Sequence, residues 1–334
     1  MSAPGTPAGN DEMLLDVRGL TIGFPAGEGL LLAANRIDFQ VAAGQTVGLV
    51  GESGCGKSVT LRSLLGLVPY PGEVLDGEIR WLGEDLRVAS KQRLAALRGR
   101  EISMIFQDPT ACLNPVFTVG DQIVETLRKR GGLGKAEART RAVELLDRVG
   151  VPSPERRLGA YPHQLSGGMR QRVMIAIAIS ARPKLLLADE PTTALDVTIQ
   201  EQILSLLVEF QEESGMAIVL VSHDLGVISE TCDEVVVMYA GRRLEAGVRQ
   251  AVMSSPRHPY TRGLIQAMPS LEVSDEPPPV PIPGQPPNLA DLPSGCPFAP
   301  RCEFSRPECE SVPMTLDADV AGHGSACPFV GAPA

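Results

Sequence analysis

The sequence predicts an α/β fold built on a parallel β-sheet, and three kinds of pattern support this prediction. Short apolar runs have the composition of strands that are buried on both faces. Stretches with apolar residues at helical spacing separate these runs, as in βαβ units. A glycine-rich loop that ends in Lys57 and Ser58 follows one of the runs and opens a helix. The 334 residues suggest about two domains.

The apolar runs are four or five residues long, which is typical of central strands. They cover residues 46–50, 184–188, 217–221 and 235–238. Apolar residues form one helical stripe in 197–214 and another in 136–149. The order of runs and stripes therefore predicts strands that alternate with helices.

The composition excludes several classes of protein. A formal net charge of −10 disfavours a chain whose main task is to bind a nucleic-acid backbone. The chain contains no apolar run of about 18 residues, so we expect no transmembrane helix. Residues 1–10 contain neither a basic nor an apolar leader segment. We therefore expect a cytoplasmic protein whose 7 cysteines are not structural disulfides.

The composition changes towards the C-terminus. Residues 271–334 contain 14 of the 29 prolines, 4 of the 7 cysteines and a local net charge of −7. Residues 276–283 are so rich in proline that we expect polyproline II or an extended linker there. The predicted organisation is a body at 1–254 and a proline-rich, four-cysteine extension at 255–334.

Residues 51–58 match the phosphate-binding pattern G-x-x-x-x-G-K-[ST]. In this pattern, backbone amides and the start of the following helix bind the phosphates of ATP. We expect Lys57 to reach the β- and γ-phosphates and Ser58 to bind Mg²⁺; Cys55 is a small filler rather than a nucleophile. A chance glycine-rich turn is the alternative, but strand, loop, Lys, Ser and helix all coincide. The predicted ATP contacts of this segment are Gly51, Ser53, Gly54, Cys55, Gly56, Lys57, Ser58 and Val59.

A second apolar run ends in two carboxylates, Asp189 and Glu190. A carboxylate at the end of a strand suits the coordination shell of Mg²⁺, so we assign Asp189 to the metal. We expect Glu190 to polarise the water that attacks the phosphate. The alternative, a strand that happens to end in exposed acids, is weaker when a phosphate-binding loop is also present.

The segment Ser166-Gly167-Gly168 precedes a predicted helix at 173–181 and is a second candidate anion-binding site. At this point, the sequence from residue 13 to about 250 resembles the ATP-binding cassette (ABC) ATPases. The resemblance implies a P-loop NTPase fold with a RecA-like core and a helical subdomain at about 108–180. It also implies that Ser166, Gly167 and Gly168 close over the ATP that another subunit binds.

The resemblance to ABC ATPases implies further roles. Gln107 matches the glutamine that senses the γ-phosphate and Mg²⁺, and Asp196 matches the D-loop aspartate. His223 matches the histidine that contacts the γ-phosphate, so the catalytic set is Glu190, His223 and Gln107. Phe24 falls where the family has an aromatic residue that stacks on adenine; a core aromatic residue is the alternative.

The extension contains four cysteines, Cys296, Cys302, Cys309 and Cys327. Four cysteines in a short cytoplasmic segment with little apolar core suggest that a metal stabilises it. Four thiolates suit Zn²⁺ or a [4Fe–4S] cluster. The cysteines and the segment 256–261 are similar to the C-terminal extension of dipeptide and oligopeptide importer ATPases, a group that includes nickel importers. Because some members of that group hold a [4Fe–4S] cluster there, the resemblance favours a cluster over zinc; unliganded thiols are the other alternative.

The resemblance implies an ATPase that powers peptide import, with nickel or another small solute as an alternative cargo. We expect two transmembrane permease subunits, an extracytoplasmic substrate-binding protein and a second ABC ATPase, either a distinct paralogue or another copy. The chain would act on the inner face of the cell membrane and would bind no nucleic acid. A soluble ABC ATPase that acts on nucleic acid is the contrasting class; the acidic composition and the short spacing from Lys57 to Ser166 disfavour it.

Overall fold

The computed structural model describes residues 12–27, 29–192, 197–268, 280–319 and 322–329. These residues form two β-sheets, a run of helices between two strands of the larger sheet, and a C-terminal segment that joins the edge of that sheet. The predicted α/β class is confirmed.

The chain alternates between strands and helices over most of its length. The strands are β1 (Met13–Ala26), β2 (Gly29–Ala42), β3 (Thr46–Val50), β4 (Glu73–Trp81), β5 (Glu84–Asp85), β6 (Ile102–Ile105), β7 (Leu185–Asp189), β8 (Ala217–Ser222), β9 (Glu234–Tyr239), β10 (Arg242–Val248), β11 (Asp317–Ala318) and β12 (Gly324–Ser325). The helices are α1 (Lys57–Leu64), α2 (Lys91–Leu97), α3 (Pro109–Cys112), α4 (Val119–Lys129), α5 (Lys135–Arg148), α6 (Pro154–Arg157), α7 (Gly167–Ser180), α8 (Val197–Ser214), α9 (Leu225–Thr231), α10 (Arg249–Ser254) and α11 (Pro259–Gln266). Short 3-10 turns lie at Pro162–Gln164, Ala299–Arg301 and Pro307–Glu310.

The larger sheet has the strand order β11-β12-β10-β9-β3-β8-β7-β6. The pairs among β9, β3, β8, β7 and β6 are parallel, and each of the four predicted strands is one of them. Alternate residues of β7 pack into two hydrophobic cores on opposite faces of the sheet. Leu185 and Leu187 lie in one core, and Leu186 and Ala188 lie in the other. This double burial explains the continuous apolar run in the sequence.

The smaller sheet has the order β2-β1-β4-β5 and is antiparallel throughout. No pattern in the sequence predicted this sheet. Register shifts interrupt the β1–β2 and β1–β4 pairs, and residues 14–17 are all buried, so the strand lacks the regular alternation that reveals a half-buried strand. Its core, which includes the fully buried Trp81, packs against one face of the parallel sheet.

The helices α3 to α7 lie between β6 and β7 in the chain, within the predicted helical subdomain. The predicted helix at 197–214 is α8, and that at 136–149 is α5 displaced by one residue. The helix predicted to begin at residue 173 starts earlier, at Gly167, because the Ser166 hydroxyl accepts the Met169 N–H and caps it. In the described part of the chain, no helix has the length and hydropathy needed to cross a membrane.

The C-terminal segment continues the larger sheet, since β12 pairs with β10 and β11 pairs with β12. Its main anchor is Glu245 on β10, which is fully buried. The Glu245 carboxylate accepts the backbone N–H groups of Arg257 and His258 at 2.7 and 2.8 Å, and its Oε1 lies 2.7 Å from Nε2 of His323. One carboxylate therefore joins two separate parts of the predicted extension to the sheet.

The proline-rich start of the extension is described only in part. Residues 276–279 lie outside the described residues, and residues 280–283 form neither helix nor strand. The domain boundary at 254/255 and the limits of the helical subdomain stay predictions.

We expect Glu245→Ala to destabilise the protein by about 3 kcal/mol, because it leaves buried donors without an acceptor. Denaturant unfolding of the purified chain measures this free energy. The matched control is Glu303→Ala, whose side chain is exposed on the same extension. Equal stability of the two variants would contradict the role of Glu245 as an anchor.

Candidate functional site

The predicted phosphate-binding loop joins β3 to α1 at the carboxyl edge of the parallel sheet. Gly51 has φ 154° and Gly56 has φ 101°, and both lie against neighbouring backbone. A Cβ atom at residue 51 would come within 2.0 Å of the Met238 carbonyl oxygen, and one at residue 56 within 2.0 Å of that of Ala33. Tight contact with β9 and β2 therefore explains both glycines.

Lys57 is buried and folds back onto this loop. Its Nζ donates to the carbonyl oxygens of Gly51 at 2.6 Å and Glu52 at 3.0 Å. Phosphate oxygens would compete with these carbonyls for the same ammonium group. Burial raises the pKa of the neighbouring Cys55 thiol, and a neutral thiol is a poor nucleophile.

Ser58 and Asp189 meet where α1 begins and β7 ends. The Ser58 hydroxyl donates to Oδ1 of Asp189 at 2.7 Å. Asp189 is fully buried, and its Oδ2 has no hydrogen-bond partner among the described residues; Nη2 of Arg62 lies 4.0 Å away. Burial raises the pKa of this carboxyl group. A hydroxyl and an unsatisfied carboxylate oxygen are ligands that suit Mg²⁺, so these residues fit the metal.

The three predicted catalytic side chains converge beside this pair. Nε2 of Gln107 donates to Oε2 of Glu190 at 3.0 Å, and Nδ1 of His223 lies 3.4 Å from the same oxygen. The residues follow β6, β7 and β8, whose carboxyl ends share one edge of the sheet. Glu190 has φ 47°, a left-handed conformation that is costly for a residue with a side chain. Such local strain is common at active sites.

The segment Ser166-Gly167-Gly168 does not join this cluster within one chain. Ser166 and Gly167 are exposed, and a Cβ atom at Gly167 would meet no other atom within 4 Å. Among the described residues, no hydrogen bond connects this segment to residues 51–58. Asp196, the predicted D-loop residue, lies outside the described residues.

Phe24 and Val59 lie next to the core of the smaller sheet. Both are partly buried, and the Phe24 ring approaches Gly72 so closely that a Cβ atom there would come within 2.4 Å of it. Stacking of Phe24 on adenine stays a prediction, and so does an ATP contact of Val59.

The four cysteines of the extension line one cavity of about 330 Å³. Burial raises the pKa of Cys296 to about 11 and also raises the pKa values of Cys302 and Cys327. Nδ1 of His258 accepts the Tyr260 N–H, and its Nε2 lies 3.9 Å from the Cys296 sulfur. Within the described residues, no three His, Cys, Asp or Glu side chains form a group that could hold a metal ion. Over the described part of the chain, the structure therefore does not confirm the predicted zinc or iron–sulfur site.

One set of contacts at the site has no signal in the sequence. Glu52, in the phosphate-binding loop, is bound by Arg301 and Tyr260 of the extension. Arg301 and Glu52 are 249 positions apart, and neither belongs to a pattern that pairs them. A pattern within one stretch of sequence contains no signal for such a contact.

We expect Asp189→Asn to raise the melting temperature of the nucleotide-free protein. Burial raises the pKa of Asp189 in the folded protein above its value in the unfolded chain. The free energy of unfolding therefore falls as the pH rises through this raised pKa, because the folded state disfavours the charged carboxylate. Asn keeps an oxygen that can accept from Ser58. Thermal unfolding at pH 8, compared with the exposed control Asp147→Asn, measures the shift. A lower melting temperature for Asp189→Asn alone would contradict the expected cost of this buried charge.

The chain is similar to known proteins along most of its length. Residues 34–193 match the model of the ABC transporter family, and residues 244–309 match that of the oligopeptide/dipeptide transporter C-terminal region. The chain is 48% identical over 300 residues to the oligopeptide transport ATP-binding protein OppD of Haemophilus influenzae, covering 90% of this chain and 92% of the relative. It is 46% identical to the dipeptide transport ATP-binding protein DppD of Escherichia coli, covering 95% and 96%.

A solved structure gives the same result for the fold. The dimeric, post-hydrolysis structure of an ATP-binding cassette bound to ADP and phosphate aligns with a TM-score of 0.64 and 28% identity, covering 71% of this chain and 99% of that one. Almost half of the aligned residues are identical to those of the two relatives, over nearly their whole length. The chain therefore belongs to the ABC transporter ATPases, in the group of ATP-hydrolysing subunits for oligopeptide and dipeptide import.

Proposed function

We propose that this chain hydrolyses ATP to power the import of dipeptides or oligopeptides through partner permease subunits. The convergence of Gln107, Glu190 and His223 beside Ser58 and Asp189 is the observation that carries the catalytic part. The match of residues 244–309 to the C-terminal region of peptide transporters supports the choice of cargo.

The residues that would hold Mg²⁺ are Ser58 and Asp189, with Gln107 nearby. Oδ2 of Asp189 has no hydrogen-bond partner among the described residues, which supports its proposed role as a ligand of the cation. Bound Mg²⁺ would neutralise charge on the phosphates of ATP. Lys57 would leave the carbonyl oxygens of Gly51 and Glu52 and bind the β- and γ-phosphates instead.

Glu190 would act as the base that polarises the attacking water. Its Oε2 is within reach of both the Gln107 amide and the His223 ring, so these two residues orient the carboxylate. No covalent intermediate is needed, since phosphoryl transfer relies on positioning and on stabilisation of charge.

A second cassette would complete the site. Ser166 and Gly167 are exposed; Ser166 is the N-cap of α7 and Gly167 is its first residue. Free backbone N–H groups at the start of a helix can bind an anion. We propose that Ser166, Gly167 and Gly168 close over the ATP of a second ABC ATPase, either a paralogue or a second copy. Asp196 would lie in the same interface. The dimeric state of the solved cassette supports this arrangement.

The membrane partners follow from the proposed import role. The chain would bind two permease subunits on the inner face of the cell membrane, as a peripheral subunit. An extracytoplasmic binding protein would deliver the cargo, which is peptide or, as the alternative, nickel or another small solute. No observation favours a role on nucleic acid.

The iron–sulfur prediction also stays a proposal. Its support is that Cys296, Cys302, Cys309 and Cys327 all line one cavity of about 330 Å³. A cluster would need these thiols as thiolates, so its assembly would release protons from groups whose pKa burial has raised. Zn²⁺ is the alternative occupant.

We expect Glu190→Gln to abolish ATP-driven peptide uptake while ATP binding is retained, because the amide cannot accept the proton of the attacking water. Uptake of a labelled dipeptide, a labelled oligopeptide and ⁶³Ni²⁺ is measured in cells whose own copy is replaced by the variant. The matched control is Glu230→Gln, an exposed glutamate outside the site. Peptide uptake that continues at the control rate, or a loss confined to nickel, would contradict the proposal.

For the cysteine cavity, we expect iron and acid-labile sulfide in equal amounts in protein purified without oxygen. Cys302→Ser should lose most of the iron because it removes one thiolate ligand. Cys112→Ser, at an exposed cysteine outside the cavity, should keep it. A colourless protein with stoichiometric zinc, or one without any metal, would overturn the proposed cluster.

A further inference from the structure

The side chain of Glu52, in the phosphate-binding loop, is bound by an arginine of the C-terminal extension. Nη1 and Nη2 of Arg301 donate to the two carboxylate oxygens at 2.6 and 3.0 Å. The arginine side chain is only 7% exposed and the glutamate 24%. A largely buried, bidentate pair of this kind is among the strongest and most directional of polar contacts.

The backbone of Glu52 is held as well. Its N–H donates to the hydroxyl oxygen of Tyr260 at 2.8 Å, and its carbonyl oxygen accepts from Lys57 at 3.0 Å. The extension therefore holds the side chain and the amide of Glu52, and the lysine that is proposed to bind phosphate holds the carbonyl.

Arg301 and Tyr260 are themselves held in place by packing. Tyr239, Tyr260 and Phe298 form a buried aromatic cluster with ring centroids 4.6 to 5.4 Å apart. The Arg301 guanidinium lies 5.8 and 5.9 Å from the Tyr239 and Phe298 rings, and its Nε donates to the carbonyl oxygen of Pro283 at 2.8 Å. A side chain with so many fixed neighbours can act as a rigid support for the loop.

We propose that Arg301 is a positioning residue for the phosphate-binding loop. Through Glu52 it holds the loop in the conformation that receives ATP, so the C-terminal extension sets the affinity of the site for nucleotide. This inference rests on the proposed assignment of residues 51–58 to the phosphates of ATP.

The physical reason is preorganisation. When phosphate replaces the carbonyl of Glu52 as the partner of Lys57, the loop loses one of its internal contacts. The contacts of Arg301 and Tyr260 do not involve the lysine, so they hold Glu52 during this exchange. Without them, ordering the loop would be part of the free-energy cost of binding ATP. Glu190 and His223 follow other strands, β7 and β8, so the chemical step should change little once ATP is bound.

The test measures the affinity of the full-length chain for fluorescent Mg-ATP in Arg301→Met, Glu52→Gln and the double variant. We expect each single change to weaken binding about tenfold, the effect of one strong polar contact. The affinity of the double variant for Mg-ATP should equal that of the single variant that binds less tightly, because both changes break the same contact. The KM for ATP should rise as binding weakens. The kcat at saturating ATP should stay within about twofold of that of the original chain.

Two further variants separate positioning from a general effect on folding. Arg301→Lys keeps the charge but loses the bidentate geometry, so its affinity should lie between those of the original chain and Arg301→Met. Arg306→Met removes an exposed arginine of the same extension and should leave affinity unchanged. Glu52→Gln preserves the size of its side chain, so it tests the contact even if Arg301→Met fails to fold.

Unchanged affinity in Glu52→Gln would overturn the inference, as would additive losses in the double variant. Different results would contradict the proposed function. They are that the original chain binds no Mg-ATP, or that Lys57→Ala binds it as tightly as the original chain. If the original chain binds Mg-ATP in a Lys57-dependent manner and neither Arg301→Met nor Glu52→Gln weakens binding, only the inference is wrong.

Discussion

The parallel pairing of β3, β8 and β7 is the constraint on which the rest of the site depends. Parallel strands end at the same edge of a sheet, so this pairing carries Lys57, Glu190 and His223 to one place although they lie far apart in the chain. The pairing itself requires strands that are buried on both faces. Burial on both faces in turn requires the antiparallel sheet on one side and the helices on the other.

The site is stabilised by the surrounding fold rather than by its own contacts. Asp189 is a buried carboxyl group whose Oδ2 has no hydrogen-bond partner among the described residues, and Glu190 adopts a left-handed conformation. Both features cost stability in the nucleotide-free protein. Both would place carboxylate oxygens where the proposed Mg²⁺ ion and the proposed attacking water bind. A site that were fully satisfied without nucleotide would gain less from binding it.

Two of the contacts that join the C-terminal extension to the ATPase core differ in chemistry. Glu245 anchors it to the edge of the sheet through backbone and histidine donors. Arg301 reaches the phosphate-binding loop itself, across a cluster of aromatic rings. The cavity lined by the four cysteines lies in the same segment, and Cys302 follows Arg301 directly. The extension is therefore placed so that a change within it can reach the loop through a short series of contacts.

The sequence by itself determined the parallel strands, the phosphate-binding loop and the two carboxylates, because each depends on residues that are adjacent or periodic in the chain. It could not determine the antiparallel sheet, whose register shifts remove the alternation that would have revealed it. Nor could it determine that Gln107, Glu190 and His223 share one oxygen, or that Arg301 binds Glu52, because these contacts depend on which strands become neighbours. Only the tertiary structure decided them, since chain segments that are distant in sequence meet through packing and leave no periodic trace in either segment.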